Sequence, residues 1–345
     1  MDRIYHAAIL EGSSFVGGEL YRILSDHPNI AVTFISSESQ AGELVERYND
    51  RFRYQRDQPM LRYLPLDELN DHYDLIFSCL PQEQLSAHLP YLNQHSTWIL
   101  NLSGGDGFQS MDSNGIFTLQ SPADLADNLR CQFFIPELTA PDPSVSMIQI
   151  PGGIAAAAIY ALYPLIHNHM ISGDIVIEAK LGSTFNEDIS AAVYAERLNN
   201  FGLHDAFHHV QLPEIETLKQ YTDEPLEIIF SAFDLDILRG VYITAYSTLN
   251  EGFTVRDVKR TYFSTYKYSP FIYYLINGQT PMLKTVCGTN NAEVSTVVKQ
   301  NKCLSICSLD NLVKGAAGQA VQAANLYLGI KLSAGLDYLS YMPWP

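Results

Sequence analysis

The run from Ser308 to Gln322, Ser-Leu-Asp-Asn-Leu-Val-Lys-Gly-Ala-Ala-Gly-Gln-Ala-Val-Gln, allows few structures. It follows Cys303-Leu-Ser-Ile-Cys307, whose short apolar pattern predicts a strand. The whole piece therefore reads as a strand turning into a helix. Asp310 or Asn311 can cap that helix by accepting a backbone N–H. Gly315 and Gly318 fall inside it, each at a cost of about 1 kcal/mol against alanine. With Ala316, Ala317 and Ala320 they form a surface almost without side chains. Such a surface serves where another backbone or a flat ring must come very close. Tight helix packing accounts for the glycines equally well.

Upstream, strand and helix signals alternate. Ile4 to Leu10 reads as a strand, Gly17 to Leu24 as an amphipathic helix, and Ala31 to Ser36 as a second strand. Tyr73 to Leu80 and Thr97 to Leu102 are further apolar strands. Alternation of this kind predicts a doubly wound parallel sheet. Near residue 148 the pattern changes. An Ala-rich apolar helix follows Pro151, and then come long β-type runs at Asp174–Leu181, Leu226–Phe233, Gly240–Thr248 and Lys284–Cys287. The expected fold class is α/β. A Rossmann-type doubly wound parallel sheet (1–147 with 312–345) precedes a second α+β domain of mixed or antiparallel sheet (148–311). The aromatic-rich piece from Tyr262 to Tyr274 reads as ordinary core and surface.

A chain of 345 residues suffices for two domains with ordinary cores. A net charge of -17 repels phosphate backbones and anionic lipid, so neither nucleic acid nor membrane is expected as a partner. There is no apolar run of membrane-spanning length, and the N-terminal residues lack the order of a signal peptide. Five cysteines without a C-x-x-C pair point to reduced thiols in the cytoplasm.

Between the first strand and the first helix lies Leu10-Glu-Gly-Ser-Ser-Phe-Val-Gly-Gly-Glu-Leu20, where a dinucleotide-binding loop belongs. Together with the tail, this identifies a resemblance. The chain is similar to the N-acetyl-gamma-glutamyl-phosphate reductases, which carry a near-identical Asp-Asn-Leu-Val-Lys-Gly-Ala-Ala-Gly-Gln-Ala run. That family belongs to the aspartate-semialdehyde-type dehydrogenases. It implies NADPH-dependent reduction of an acyl phosphate to a semialdehyde in arginine biosynthesis, with NAD or NADP as cofactor and a homo-oligomeric assembly. The matching cofactor positions are Gly12, Ser13, Ser14, Phe15, Val16, Ser37, Glu38, Pro81, Asn311 and Gly315.

The resemblance fails at residues that carry the chemistry. The family loop reads Gly-x-x-Gly-x-x-Gly, and this chain has Glu11, Ser14 and Gly17 there. A carboxylate at about 4 Å from a phosphate oxygen costs roughly 4 kcal/mol at an effective dielectric of 20. In Ser36-Ser-Glu-Ser-Gln-Ala-Gly42, Glu38 stands where the family places an arginine for the 2′-phosphate, so NAD is favoured over NADP if either binds. A solvated loop carboxylate is the other reading of Glu38. The family's nucleophilic cysteine follows Asn-Pro-Gly. Here the segment is Ile150-Pro-Gly-Gly-Ile-Ala-Ala156, so the position is Gly153. Cys79, before Pro81, is a candidate substitute thiol, although buried packing explains it as well.

The family's acid–base segment, His-Arg-His-x-Pro-Glu-Ile, becomes His209-Val-Gln-Leu-Pro-Glu-Ile215, keeping His209 and Glu214. Its substrate loop becomes Lys180-Leu-Gly-Ser-Thr-Phe-Asn-Glu-Asp188. That keeps Lys180 and Gly182, with Asp188 in place of an anion-gripping arginine. His204 and His208 are four apart and could share a helix face, with Asp205 and His209 nearby, a spacing that zinc sites use, although a His-rich surface helix explains them as well. No third ligand is evident, so no metal is expected. Three functions stay open: a family member without the family activity, binding a small molecule or another subunit; an active reductase; and a repurposed NAD-dependent oxidoreductase.

Overall fold

A computed structural model describes residues 3–48, 61–104, 111–112, 114–119, 129–185, 197–276 and 278–338. Contacts divide the chain into two units, Met1–Pro151 with Ala316–Asp337, and Gly152–Gly315 with Tyr338–Pro345.

In the first unit, the strands are β1 (Tyr5–Leu10), β2 (Ile30–Ile35), β3 (Tyr73–Ser78), β4 (Ser96–Asn101), β5 (Ile116–Leu119), β6 (Leu129–Phe133) and β7 (Met147–Gln149). They form one sheet in the order β2-β1-β3-β4-β7-β6-β5. Every pair is parallel except β5 with β6. β1, β3 and β4 each carry an apolar run, as strands covered on both faces require, and Ala7 to Leu10 and Leu75 to Phe77 are fully buried. The helices are α1 (Phe15–Ser25), α2 (Val45–Tyr48) and α3 (Gln82–Gln94). The chain leaves β1 toward β2 on one side and returns to β3 on the other. The carboxyl ends of β1 and β3 therefore make the switch point at which such sheets bind ligands.

In the second unit, α4 (Gly153–His167) is buried at all but two of its residues. Its sequence, rich in alanine and isoleucine with no charge, suits a helix surrounded by protein. Its layer also holds α5 (Leu212–Glu216), α6 (Val255–Tyr266) and α7 (Leu283–Val286). The strands are β8 (Ile171–Leu181), β9 (Phe201–Ala206), β10 (Leu226–Leu235), β11 (Val241–Leu249), β12 (Ile272–Tyr274), β13 (Ala292–Lys299) and β14 (Lys302–Leu309). Their order is β12-β13-β14-β11-β8-β10-β9, mixed parallel and antiparallel. The hydroxyls of Tyr262 and Tyr266 on α6 donate to the Ala161 and Tyr160 carbonyls of α4, tying the helical layer together. Alternation puts Val176, Lys180, Thr244 and Tyr246 on the opposite face, where Tyr246 is half exposed.

Three expectations need correction. Lys284–Cys287 belongs to a helical turn, not a strand, because a four-residue apolar run has no period to distinguish the two. His204 lies on β9, so the expected His-rich helix does not exist, and pairing with β10 decides that segment. The tail helix opens with a π-turn at Val313–Ala317 before α8 (Gly318–Tyr327) begins.

Candidate functional site

The turn after β1 sits at the switch point, and Leu10 and Ser78 are paired at the ends of their strands. Glu11 adopts φ +54°, the left-handed region that costs an L-residue about 1–2 kcal/mol. It thus takes the backbone shape for which a glycine is ordinarily used. Its N–H donates to Ser36 Oγ at 3.3 Å, and its carboxylate accepts from Ser13 Oγ at 2.9 Å. Ser13 shares a further hydrogen bond with Ser37 Oγ at 2.7 Å. The charge is therefore tied into a chain of hydroxyls that joins this turn to the one after β2.

Ser14 caps α1. Its hydroxyl accepts from the Gly17 N–H at 3.0 Å and donates to the Glu11 carbonyl at 2.9 Å. Phe15 and Val16 form the first turn of that helix. A Cβ at Gly12 would overlap Ile35, and one at Gly17 would stand 2.5 Å from the Glu11 carbonyl oxygen. These two glycines let α1 pack against the sheet. Glu38 is exposed, and its Oε1 accepts from the Leu66 N–H at 2.9 Å. Pro81 is the residue before α3, and the Cys79 N–H donates to the Leu10 carbonyl. In backbone shape the loop fits the pyrophosphate of a dinucleotide, which Gly12 to Val16 would hold, with Ser37 and Glu38 on the ribose side. In charge it opposes that group through Glu11.

The second unit holds Gly153, the residue matched in sequence to the family's nucleophile. Gly153 is the first residue of α4, and the cap residue, Gly152, has no side chain to satisfy the helix's first N–H groups. Gln211 and Glu214 supply the acceptors. Gln211 Oε1 accepts from Ile154 N at 2.9 Å and Ala155 N at 3.1 Å, while Glu214 Oε2 accepts from Gly152 N at 2.8 Å. A Cβ at Gly152 would collide with the Gln211 amide. At Gly153 there is room: an added Cβ would meet Phe185, Asn311 Cα and Gly315 Cα at 3.4–3.5 Å. Sequence reasoning missed the role of Gln211. Its only signal was that it stands at the second histidine of the family's segment.

His209 is nearly buried, and its Nδ1 accepts from the Gln211 N–H at 3.0 Å. Burial holds its pKa below the usual histidine value, with Asp205 acting in the opposite direction. The group presented to the start of α4 is thus the Gln211 side chain, with His209 supporting its backbone. Glu214 is fully buried. Asp310, not Asn311, caps the tail, accepting from Leu312 and Val313 N–H groups and pairing with Arg239 Nη2 at 2.8 Å. Asn311 accepts from the Gly240 N–H at 2.8 Å and donates to Thr184 Oγ1 at 3.0 Å, which is a bracing role. A Cβ at Gly315 would lie 2.8 Å from Gly153 Cα, so backbone meets backbone there.

Lys180 Nζ lies 2.8 Å from Glu178 Oε2 and 2.5 Å from Thr244 Oγ1, and the lysine bond holds the Glu178 carboxyl below the usual range. Gly182 accommodates the Arg239 backbone, 2.9 Å from where its Cβ would be. Asp188 lies outside the described residues. The described cysteines of this unit, Cys287, Cys303 and Cys307, are all buried. Burial pushes the Cys287 thiol up to about 12 and that of Cys303 up to about 11. Burial raises Cys307 further still.

A nucleotide-type sheet followed by a mixed-sheet domain defines a semialdehyde dehydrogenase architecture. Residues 6–139 match the model of the semialdehyde dehydrogenase NAD binding domain, and residues 154–311 that of the semialdehyde dehydrogenase dimerisation domain. Among solved structures, aspartate semialdehyde dehydrogenase II from Vibrio cholerae superposes with TM-score 0.71 at 13% identity, covering 95% of this chain and 99% of that one. The Candida albicans aspartate semialdehyde dehydrogenase with NADP gives 0.67 at 13%, covering 96% and 99%. Among relatives, N-acetyl-gamma-glutamyl-phosphate reductase 1 of Lactiplantibacillus plantarum is 40% identical over 98% of this chain and 99% of its own length. The reductase of Gloeothece citriformis is 28% identical over 97% of each chain. The chain belongs to the N-acetyl-gamma-glutamyl-phosphate reductase family.

Proposed function

We propose that this family member keeps the reductase fold without the family's thioester chemistry. The observation that carries this reading is the Gln211 amide, which takes the N–H groups of Ile154 and Ala155 at a helix start whose first residue, Gly153, has no side chain. In the family reaction a cysteine there attacks the acyl phosphate carbonyl, and helix N–H groups favour the thiolate. In this chain a neutral carbonyl already uses those donors. The buried thiols of the second unit offer no substitute, since Cys287, Cys303 and Cys307 are all held protonated at neutral pH.

The nicotinamide cofactor is a separate question. Glu38 carries no positive charge for a 2′-phosphate and can accept a hydrogen bond from a ribose hydroxyl, which favours NAD over NADP. As assembly, we propose a homo-oligomer through the open face of the second sheet. Light scattering on the Tyr246→Lys variant tests that contact, and an unchanged mass would reject it.

The deciding assay is phosphate-dependent oxidation of N-acetylglutamate semialdehyde with NAD and with NADP. The expected result is no turnover above the enzyme-free rate. Turnover proportional to enzyme concentration overturns the reading. The Gly153→Cys/Gln211→His double variant restores both a thiol and an imidazole at the helix start, where Gly153 leaves room for a Cβ. It is expected to gain a thiol that iodoacetamide alkylates at neutral pH.

A further inference from the structure

β9 carries an irregularity in its pairing with β10. Along its pairing with β10, Asp205 faces Ala232 and Leu203 faces Phe233, so His204 is an extra residue in the ladder. A bulge re-aims a side chain, and here it turns His204 to the side of its own neighbour Asp205. Phe207 then takes φ +63°, a left-handed turn that brings His209 back toward the same carboxylate. One ligand atom from each of His204, Asp205 and His209 lies within 4.8 Å of the other two.

We propose that His204, Asp205 and His209 bind one divalent transition-metal ion of the zinc class. This departs from the metal-free reading of the sequence, which found no third ligand and took the segment for a surface helix.

The nitrogen geometry supports the assignment. His204 Nδ1 lies 3.2 Å from Asp234 Oδ2, and Asp234 is itself held by Arg197 Nη2 at 2.8 Å. That carboxylate fixes the ring proton on Nδ1 and leaves Nε2 as a lone pair, 3.8 Å from Asp205 Oδ2. His208 repeats the pattern, with Nδ1 donating to the Ala206 carbonyl at 2.8 Å and Nε2 at 3.7 Å from Asp205 Oδ1. Metal-binding histidines are commonly oriented by a carboxylate or carbonyl on the second nitrogen. Lone pairs on two nitrogens facing one carboxylate repel it unless a proton or a metal ion sits between them, and one metal ion can serve both.

His209 Nε2 stands 3.9 Å from Asp205 Oδ2. Its Nδ1 takes the Gln211 N–H, so capture at Nε2 gives up a proton there, takes one at Nδ1 and breaks that backbone bond. The two histidine-to-Asp205 separations, 3.8 and 3.9 Å, exceed the roughly 3.4 Å between ligands of a tetrahedral zinc site by about half an ångström, and the full set spans up to 4.8 Å, so the rings close in on binding. The exposed His208 faces the other oxygen, Asp205 Oδ1, and stands outside the three-residue set.

The test is titration of the intact, chelator-stripped chain with zinc chloride against a chromogenic chelator. The expected result is one equivalent bound per chain, lost in His204→Ala and in Asp205→Asn. The surface control His88→Ala should bind like the native chain, and Asp234→Asn should bind about tenfold more weakly. Circular dichroism confirms that the variants are folded. A cobalt(II) titration of the native chain should give a visible d–d band that His204→Ala lacks. No stoichiometric binding, or binding indifferent to His204 and Asp205, overturns the proposal.

Discussion

The turn after β1 and the start of α4 have each lost a family residue, and they answer the loss in opposite ways. In the turn, a larger residue adopts the backbone of a smaller one: Glu11 sits at φ +54° and its carboxylate is bonded by Ser13. At α4, a smaller residue removes the reactive atom, and the Gln211 amide from elsewhere in the chain takes over the helix N–H groups. Backbone geometry survives in both places. The side chains do not, because charge and side-chain identity are not fixed by backbone shape.

Four experiments break or sharpen that contrast. The largest effect is expected from Glu11→Gly. If charge alone opposes the pyrophosphate, dinucleotide affinity should rise by up to about a thousandfold, from roughly 4 kcal/mol of removed repulsion. Calorimetry reads it, and an unchanged affinity would mean the carboxylate points away from the ligand.

Next comes Gln211→Leu, which strips the acceptor from two helix N–H groups in a buried setting. A loss of about 3 kcal/mol in urea unfolding is expected, at about 1–3 kcal/mol for each unsatisfied group. A loss under 1 kcal/mol would show that water replaces the amide. Gly315→Ala forces a Cβ to 2.8 Å from Gly153 Cα, and a cost of about 2 kcal/mol is expected from overpacking. A neutral result would show that the tail and α4 move apart freely.

The smallest effect concerns His27, in the first unit. Its Nδ1 accepts from the Asn29 and Ile30 N–H groups while Nε2 donates to Asn325 Oδ1 at 3.1 Å, so a proton added at Nδ1 would face two N–H donors. Burial lowers its pKa below 6.5. The unfolded chain therefore binds this proton more readily. The stability is fully present above about pH 6.5 and declines as pH falls toward the folded-state value, by at most about 1.4 kcal/mol per pH unit. Denaturation midpoints of the native chain and His27→Gln, compared between pH 7.5 and 5.5, should converge as pH falls.

Much of this was legible in the residues. The apolar runs of β1, β3 and β4 and the uncharged α4 announced themselves because burial on all sides requires a run of hydrophobic residues. The loss at Gly153 was visible as a letter. The substitute at Gln211 was not, since its two hydrogen bonds join segments 57 and 56 residues apart, and no local pattern reports such a meeting. His204 escaped for a related reason. Its place on a bulged strand is set by β10, whose partner register lies outside any local window.

The sequence by itself determined most of the elements and the absence of a thiol at residue 153, because propensity, hydrophobic period and atom inventory are properties of the chain. Only the tertiary structure decided what fills the vacated roles. It set Glu11 in a glycine's conformation, Gln211 over the α4 N–H groups, and three side chains of β9 and its turn around one point. Those outcomes depend on hydrogen-bond partners and strand register brought together by folding, and the free energy that selects them exists only once the chain is packed.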